Sequence, residues 1–187
     1  MLDKIHAENF YIFDTCVVLD DSCIEKYSEK YKHIKAPAVF IITTAFLKEI
    51  DDLRHKSSFI KNNHDIFMSY LREYCNKGKL SKALKINPKG DYIYFHRENL
   101  KNIAAKNLEL NWLDNDLIDK QLLCLAIDLK SKFKKKVTII SKDGLLKVLC
   151  TEQDVEYVYP EEKEELKPIN STGPSGNVIR SSKPFEE

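Results

Sequence analysis

The sequence predicts an α/β protein, a three-layer α/β/α sandwich around a central, mainly parallel sheet of about five strands. Short runs of β-branched and aromatic residues alternate along the chain with longer segments that have the apolar periodicity of helices. Parallel strands need long crossover connections, and helices in those connections cover both faces of the sheet. At 187 residues the chain is long enough for one domain with a complete core and marginal for two.

The first half of the chain contains two predicted strands and two predicted helices. Residues 10–13 form an apolar run typical of a buried strand, and the β-branched run 39–43 predicts the second strand. Residues 20–35 between them predict a polar loop with a short helix. Helices are predicted over residues 44–55 and 59–76, where apolar side chains recur at helical spacing.

The second half repeats this alternation after a basic loop. Glycine and proline mark residues 77–90 as loop, and residues 92–95 predict the third strand. A weakly patterned helix is predicted over residues 100–110. The remaining predicted elements are, in order, helix 116–133, strand 137–141, helix 144–150 and strand 155–158.

The composition changes at residue 160. Residues 160–187 carry few apolar side chains among Glu, Lys, Pro, Gly and Ser. Such a stretch buries too little surface to offset its ordering entropy. We therefore expect one domain over residues 1–159 and a flexible C-terminal tail over residues 160–187.

The net charge says nothing about partners, because 30 Lys and Arg residues face 29 Asp and Glu residues. The local charge is more informative. Residues 74–106 contain only two acidic residues, Asp91 and Glu98, and eight basic ones: Lys77, Lys79, Lys82, Lys85, Lys89, Arg97, Lys101 and Lys106. Such an excess suits a polyanionic partner, and a solvated surface segment explains it equally well.

Several classes of function have no motif in this chain. The five cysteines form no CxxC pair or zinc spacing, and Cys124 and Cys150 are predicted to be small core residues. GxSxG, HExxH and GxGxxG are all missing from the sequence. The histidines are scattered, and His55 and His96 are predicted to be surface residues and not metal ligands. Charged residues interrupt the N-terminus and no apolar run reaches membrane length, so we expect a cytoplasmic protein that does not contact a membrane.

Acidic residues that are far apart in the sequence stand where predicted elements begin or end. Asp14 closes the first strand, and Asp143 follows a later strand in an Asp-Gly pair that would also suit a turn. Glu49 lies in the helix after the second strand, and Asp116 and Asp119 open the longest helix. The carboxyl ends of parallel strands share one edge, where clustered carboxylates repel one another unless a cation lies between them. The pattern predicts a divalent-metal site.

Helical periodicity selects Glu49 among the acids of helix 44–55, for which Thr44 is the predicted N-cap. At about 100° per residue, Glu49 lies about 40° from Leu53 on the apolar stripe. Asp51 and Asp52 fall outside that stripe and are predicted to be solvated.

The same argument selects Asp119 in the longest helix. Asp119 projects within about 20° of Ala126 on the buried face, whereas Asp128 projects to the other side. Capping is the expected role of Asp114 or Asn115. Asp116 suits either capping or metal binding.

These residues together resemble the PIN-domain nucleases over nearly the whole predicted domain. The strand that ends in Asp14 and Thr15 resembles the family's first motif, and residues 46–53 (FLKEIDDL) resemble the second, especially that of the PIN modules found with PhoH-type ATPases. Asp119 at the start of a buried helix resembles the third motif. The strand followed by Ser141-Lys142-Asp143 resembles the fourth. Cys16 stands where the family often carries Asn or another polar residue.

The resemblance implies a metal-dependent ribonuclease that hydrolyses phosphodiester bonds of single-stranded RNA with Mg²⁺ or Mn²⁺. It implies catalytic roles for Asp14, Glu49, Asp119 and Asp143. The same four residues and Asp116 would be the metal ligands. Thr15 and Ser141 would be auxiliary donors that orient carboxylates or water. The residues that contact the nucleic acid are left unknown.

Two alternatives remain open at this stage. One is a toxin-type PIN ribonuclease that an antitoxin partner neutralises. The other is a catalytically weak PIN fold that serves as an RNA-binding or scaffolding module. A homo-oligomer or another protein partner also remains open.

Overall fold

A six-stranded, mainly parallel sheet forms the centre of the protein. The computed structural model describes residues 5–114 and 117–162. The strands are β1 Asn9–Phe13, β2 Ala38–Thr43, β3 Leu84–Lys85, β4 Tyr92–His96, β5 Lys136–Ile140 and β6 Glu156–Val158. Their order across the sheet is β3-β4-β2-β1-β5-β6. Strands β4, β2, β1, β5 and β6 pair in parallel, and β3 pairs antiparallel with β4 at one edge.

Helices connect the strands. They are α1 Thr15–Asp20, α2 Tyr27–Lys30, α3 Thr44–Leu53, α4 Ser58–Lys77, α5 Leu100–Lys106, α6 Ile118–Phe133 and α7 Gly144–Glu152. Short 3₁₀ turns add Ile24–Lys26, Leu80–Lys82 and Leu108–Leu110.

Alternate side chains of the central strands pack against different helix layers. Phe10 and Ile12 of β1 belong to a core formed with α5, α6 and α7. Tyr11 and Phe13 belong to a second core with α1, α3 and α4. Because side chains alternate across a strand, a strand that is apolar on both faces needs cover on both. The predicted three-layer α/β/α sandwich is therefore confirmed.

Two short elements were not predicted. Helix α1 begins directly after Asp14, whose carboxylate caps it by accepting a hydrogen bond from the Thr15 amide. Its apolar residues, Val17 to Leu19, continue the run of β1, so the sequence gives no visible break between strand and helix. Strand β3 has two residues and lies within the predicted basic loop.

Other boundaries and one burial prediction also differ. The N-cap of α3 is Thr43, not Thr44, because the Thr43 hydroxyl accepts from the Phe46 amide at 3.1 Å. His96 was wrongly predicted to lie at the surface, and only 6% of it is exposed because it closes strand β4 and packs on Tyr94. His55 is exposed and Cys124 and Cys150 are buried, as predicted.

The segment after β6 packs back against the α2 region. The Lys32 amide donates to the Glu161 carbonyl at 3.0 Å, and the backbones of Glu162 and Tyr31 form an isolated antiparallel β-bridge. Residues 163–187 of the predicted tail lie outside the described residues. Within the described ranges, none of the helices combines the length and apolarity that crossing a bilayer requires.

Candidate functional site

Four carboxylates from four parts of the chain line one cleft at the carboxyl edge of the sheet. Asp14 follows β1, Asp143 follows β5, Glu49 lies in α3 after β2, and Asp119 lies in the first turn of α6. This acidic cleft has a volume of about 410 Å³. The structure thus brings together the four residues that the sequence singles out as catalytic. Asp116, the fifth predicted ligand, lies outside the described residues.

Asp14 is held in place by three donors. Its Oδ1 accepts from the Thr15 amide at 2.7 Å, and its Oδ2 accepts from the Ser141 hydroxyl at 2.6 Å. The Cys16 thiol donates to the same Oδ2 at 3.2 Å. Because the backbone amide of Asp14 also donates to the Ile140 carbonyl at 2.9 Å, the residue is fixed between the ends of β1 and β5.

Ser141 joins two of the carboxylate positions. Its hydroxyl donates to Asp14 and accepts from the Asp143 amide at 2.8 Å. Ser141 is fully buried, so this hydroxyl has a fixed environment. Buried donors of this kind orient the carboxylates that bind metals.

Cys16 supplies a hydrogen bond from a position where a polar residue would be expected. Burial, with the neighbouring Asp14 carboxylate, raises the pKa of the Cys16 thiol to about 12. The group therefore stays protonated near neutral pH and acts as a donor to Asp14.

Glu49 is oriented by Thr15. The Thr15 hydroxyl donates to Glu49 Oε2, which joins α3 to the start of α1. Burial raises the pKa of Glu49; the Thr15 hydrogen bond opposes this shift, and the nearby Asp14 charge adds to it. Asp51 and Asp52 on the same helix are exposed, which confirms the prediction from helical periodicity.

Asp143 has a structural role at the site. It is the N-cap of α7, where its Oδ1 accepts from the Leu145 amide at 2.6 Å and the Leu146 amide at 3.1 Å. The pair Asp143-Gly144 therefore begins helix α7 after strand β5. The cap fixes the Asp143 carboxylate at the wall of the acidic cleft.

Asp119 shows the strongest electrostatic effect of the crowded carboxylates. Burial, followed by the charges of Asp143, Asp14 and Glu49, raises the pKa of Asp119 to about 6. Like charges disfavour one another's ionised forms when they share a site. The four groups thus interact as one cluster.

We expect Asp119→Asn to stabilise the protein in a chelator at neutral pH. The unfolded chain releases this proton near pH 4, whereas the folded chain keeps it up to about pH 6. The folded state binds more protons in that window, so stability falls as pH rises through it. Asp119→Asn should raise the free energy of unfolding by about 1 kcal/mol at about pH 7.5, a value that allows for solvent screening of a half-buried group. The increase should be absent at about pH 4.

Urea unfolding of the two proteins at both pH values measures this gain. Asp128→Asn is the matched control, since Asp128 lies on the same helix and pairs with Lys132 at 2.8 Å, outside the cluster. Equal stability of Asp119→Asn and the unmodified chain at about pH 7.5 would contradict the repulsion.

The donor set suits a hard divalent cation. Carboxylate oxygens are the ligands that Mg²⁺ and Mn²⁺ prefer. In the two described stretches, no three Asp, Glu, His or Cys side chains are already gathered as a metal-ligand group. Mg²⁺ does not need one, because it keeps several waters and takes one or two carboxylates together with substrate phosphates.

Two lysines near the acidic cleft, Lys56 and Lys142, were not among the residues predicted from the sequence to have a role. Lys56 follows α3 and lines the cleft, where its positive charge opposes the rise in the pKa of Glu49. Lys142 lies between Ser141 and Asp143 and pairs with Asp20. Their positions depend on how helix ends pack around the strands, which local periodicity does not encode.

A family model described as a PIN domain matches residues 11–159. One solved structure that aligns with this chain is described as a domain of a functionally unknown protein from Methanocaldococcus jannaschii DSM 2661. It is 18% identical, with a TM-score of 0.49, over 87% of this chain and 98% of that one. No protein with a curated description matches the sequence.

Proposed function

The chain belongs to the PIN-domain family, and on that premise we propose that it is a metal-dependent ribonuclease that hydrolyses phosphodiester bonds of single-stranded RNA. The observation that carries the proposal is the convergence of Asp14, Glu49, Asp119 and Asp143 on one cleft. Carboxylates at this edge of a parallel sheet stand where ligands bind in such folds. A fold that needed them only for stability would gain nothing from their mutual repulsion.

The four carboxylates would hold one or two Mg²⁺ or Mn²⁺ ions. Asp116 is proposed as a further ligand on its place in the sequence alone. When bound, the metal would lower the pKa of a water and offset the charge on the leaving oxygen of the phosphodiester. Ser141 and Thr15 would keep Asp14 and Glu49 in single orientations, because each donates a hydrogen bond to the carboxylate.

The direct test is cleavage of end-labelled single-stranded RNA by the full chain. Products should appear with Mn²⁺ or Mg²⁺, stop when a chelator is in excess, and resume when the ion is restored. Failure to cut in excess of either ion would contradict the proposal.

We expect Mn²⁺ or Mg²⁺ to raise the melting temperature. A ligand that binds only the folded state at about 100 times its Kd stabilises that state by about 2.7 kcal/mol. For a chain of this size that corresponds to about 5–10 °C. Thermal unfolding with and without the ion measures the shift, and the double variant Asp14→Asn/Asp119→Asn should lose it. A shift that persists in the double variant would place the ion elsewhere.

A further inference from the structure

Three adjoining cavities follow the carboxyl edge of the sheet. The acidic cleft shares Glu49 and Ile118 with a second cavity of about 490 Å³, here called the cationic cavity. The cationic cavity shares Arg97 with a third one of about 610 Å³, here called the apolar groove. Arg97 directly follows β4, which is parallel to β2, so all three lie where ligands bind in such sheets.

Helix α3 presents three consecutive residues to these three cavities. Leu47 lines the apolar groove, Lys48 lines the cationic cavity, and Glu49 lines both the cationic cavity and the acidic cleft. Successive helical residues project about 100° apart, so one turn of α3 borders all three cavities. The Thr43 cap and the buried Phe46 and Ile50 fix that turn against the sheet.

The cationic cavity carries positive charge beside the acidic cleft. Lys48, Arg97 and Lys101 line it, against Glu49 and Asp52. Lys48 and Arg97 are exposed, and in the described part of the chain neither makes an ion pair. Charges that no carboxylate neutralises attract phosphates more strongly than paired ones do.

Some basic residues of the segment 74–106 pair with acids, and others border the cavities. Three lysines form ion pairs with acids that are close in space: Lys77 with Glu73, Lys89 with Glu29 and Lys106 with Glu98. Arg97 and Lys79 line the cavities instead. Part of the basic segment thus forms ion pairs at the surface, and part borders the cavities next to the acidic cleft.

The apolar groove has an apolar lining and a cationic rim. Leu47, Met68, Leu71, Leu80 and Phe95 form the lining. Arg72, Lys79 and Arg97 also border it, and in the ranges that the structure describes they make no ion pair with an acid. A nucleobase has a flat apolar face attached to an anionic backbone, and this combination complements such a groove.

We propose that a single-stranded nucleic acid crosses this edge of the sheet with a phosphate beside Lys48 and Arg97 and an unstacked base in the apolar groove. The proposal rests on the proposed nuclease function, because it places the scissile phosphodiester at the acidic cleft. A duplex keeps its bases stacked and paired, so it cannot place one in the groove without paying for unpairing. We call this route, from the acidic cleft through the cationic cavity to the apolar groove, the path. It therefore selects single strands.

Fluorescence anisotropy with a labelled oligouridylate tests the phosphate position. The full chain carrying Asp14→Asn serves as the parent, so that the probe stays intact in Mg²⁺. Lys48→Glu and Arg97→Glu should each weaken binding by about tenfold, and Lys48→Ala should lower the salt slope by about 0.7 per lost phosphate contact. The control is Lys35→Glu, an equal charge reversal at an exposed residue before β2, on the opposite edge of the sheet.

A matched abasic oligonucleotide tests the base position without altering the protein. Loss of the bases should weaken binding by about tenfold or more, and the double-stranded form of the probe should also bind more weakly. Leu47→Asn should reduce the penalty for removing the bases, and Met68→Gln serves if Leu47→Asn melts below the parent. Equal binding of the abasic and intact probes would overturn the base position.

The outcomes separate this path from the proposed function. If the unmodified chain cuts RNA while Lys48→Glu and Arg97→Glu bind as tightly as the parent, the path is wrong and the nuclease proposal stands. If the chain does not cut but both variants lose binding, the path stands and the nuclease proposal fails. Tight binding of an acidic peptide in the groove, with no oligonucleotide binding, would overturn the path.

Discussion

Replacement of Asp14 by Asn is expected to reduce metal-dependent cleavage of single-stranded RNA by about 10³-fold. Asp14 contributes a negative charge from the carboxyl end of the central strand β1, and its carboxylate faces the same cleft as the other three. A divalent ion supplies several kcal/mol of charge stabilisation, and about 4 kcal/mol corresponds to a factor of about 10³ in rate. Initial rates of cleavage of a labelled RNA by equal concentrations of both proteins measure the loss.

The substitution should leave the fold intact. Asn is as good an N-cap as Asp, so α1 keeps its first hydrogen bond. The Ser141 hydroxyl can accept from the Asn amide where it now donates to the Asp carboxylate. A melting temperature close to that of the unmodified chain in chelator would show that lost activity comes from lost charge.

Asp51→Asn is the matched control for the loss of one carboxylate. Asp51 lies on α3 two residues from Glu49, but it is exposed and pairs with Arg54 at 2.9 Å. Its replacement should leave the rate unchanged within about twofold, because exposed pairs contribute little. If Asp14→Asn cut RNA as fast as Asp51→Asn, the assignment of Asp14 would be wrong.

The alternation of strands and helices and the position of the carboxylates follow from local patterns. Asp14 and Asp143 come directly after apolar runs, and parallel pairing alone then places them at one edge. Glu49 needs one further step, the helical angle that separates it from Asp51 and Asp52. These arguments use strand and helix periods, which a single sequence displays.

Strand and helix periods do not give the hydrogen bonds around the site, and only the family resemblance indicated Thr15 and Ser141 as donors. Thr15 and Glu49 are 34 positions apart, and Ser141 and Asp14 are 127 apart. Their contacts depend on the exact approach of α1 to α3 and of β1 to β5. The cationic cavity and the apolar groove are harder still, because α3, α4 and the residues after β4 build them jointly.

Asp91 shows how a buried acid can have a structural role that its sequence context hides. In the sequence it is one of two acids in the basic segment 74–106. In the structure it is fully buried, and its carboxylate accepts hydrogen bonds from the Ala38 amide and the Asn87 side chain at 2.9 and 2.8 Å. It also accepts from the Ser28 hydroxyl. One carboxylate thus joins the start of β2 to α2 and to the turn before β4.

Asp91→Ala is expected to destabilise the protein by about 3–5 kcal/mol, because it leaves buried donors without an acceptor at about 1–3 kcal/mol each. The melting temperature should fall by roughly 10 °C or more. Asp91→Asn keeps one acceptor oxygen and should lose less, whereas Glu73→Ala, which removes only an exposed pair with Lys77, should cost less than about 0.5 kcal/mol. Urea unfolding at neutral pH measures all three. If Asp91→Ala cost no more than Glu73→Ala, the carboxylate would not be what holds these three elements together.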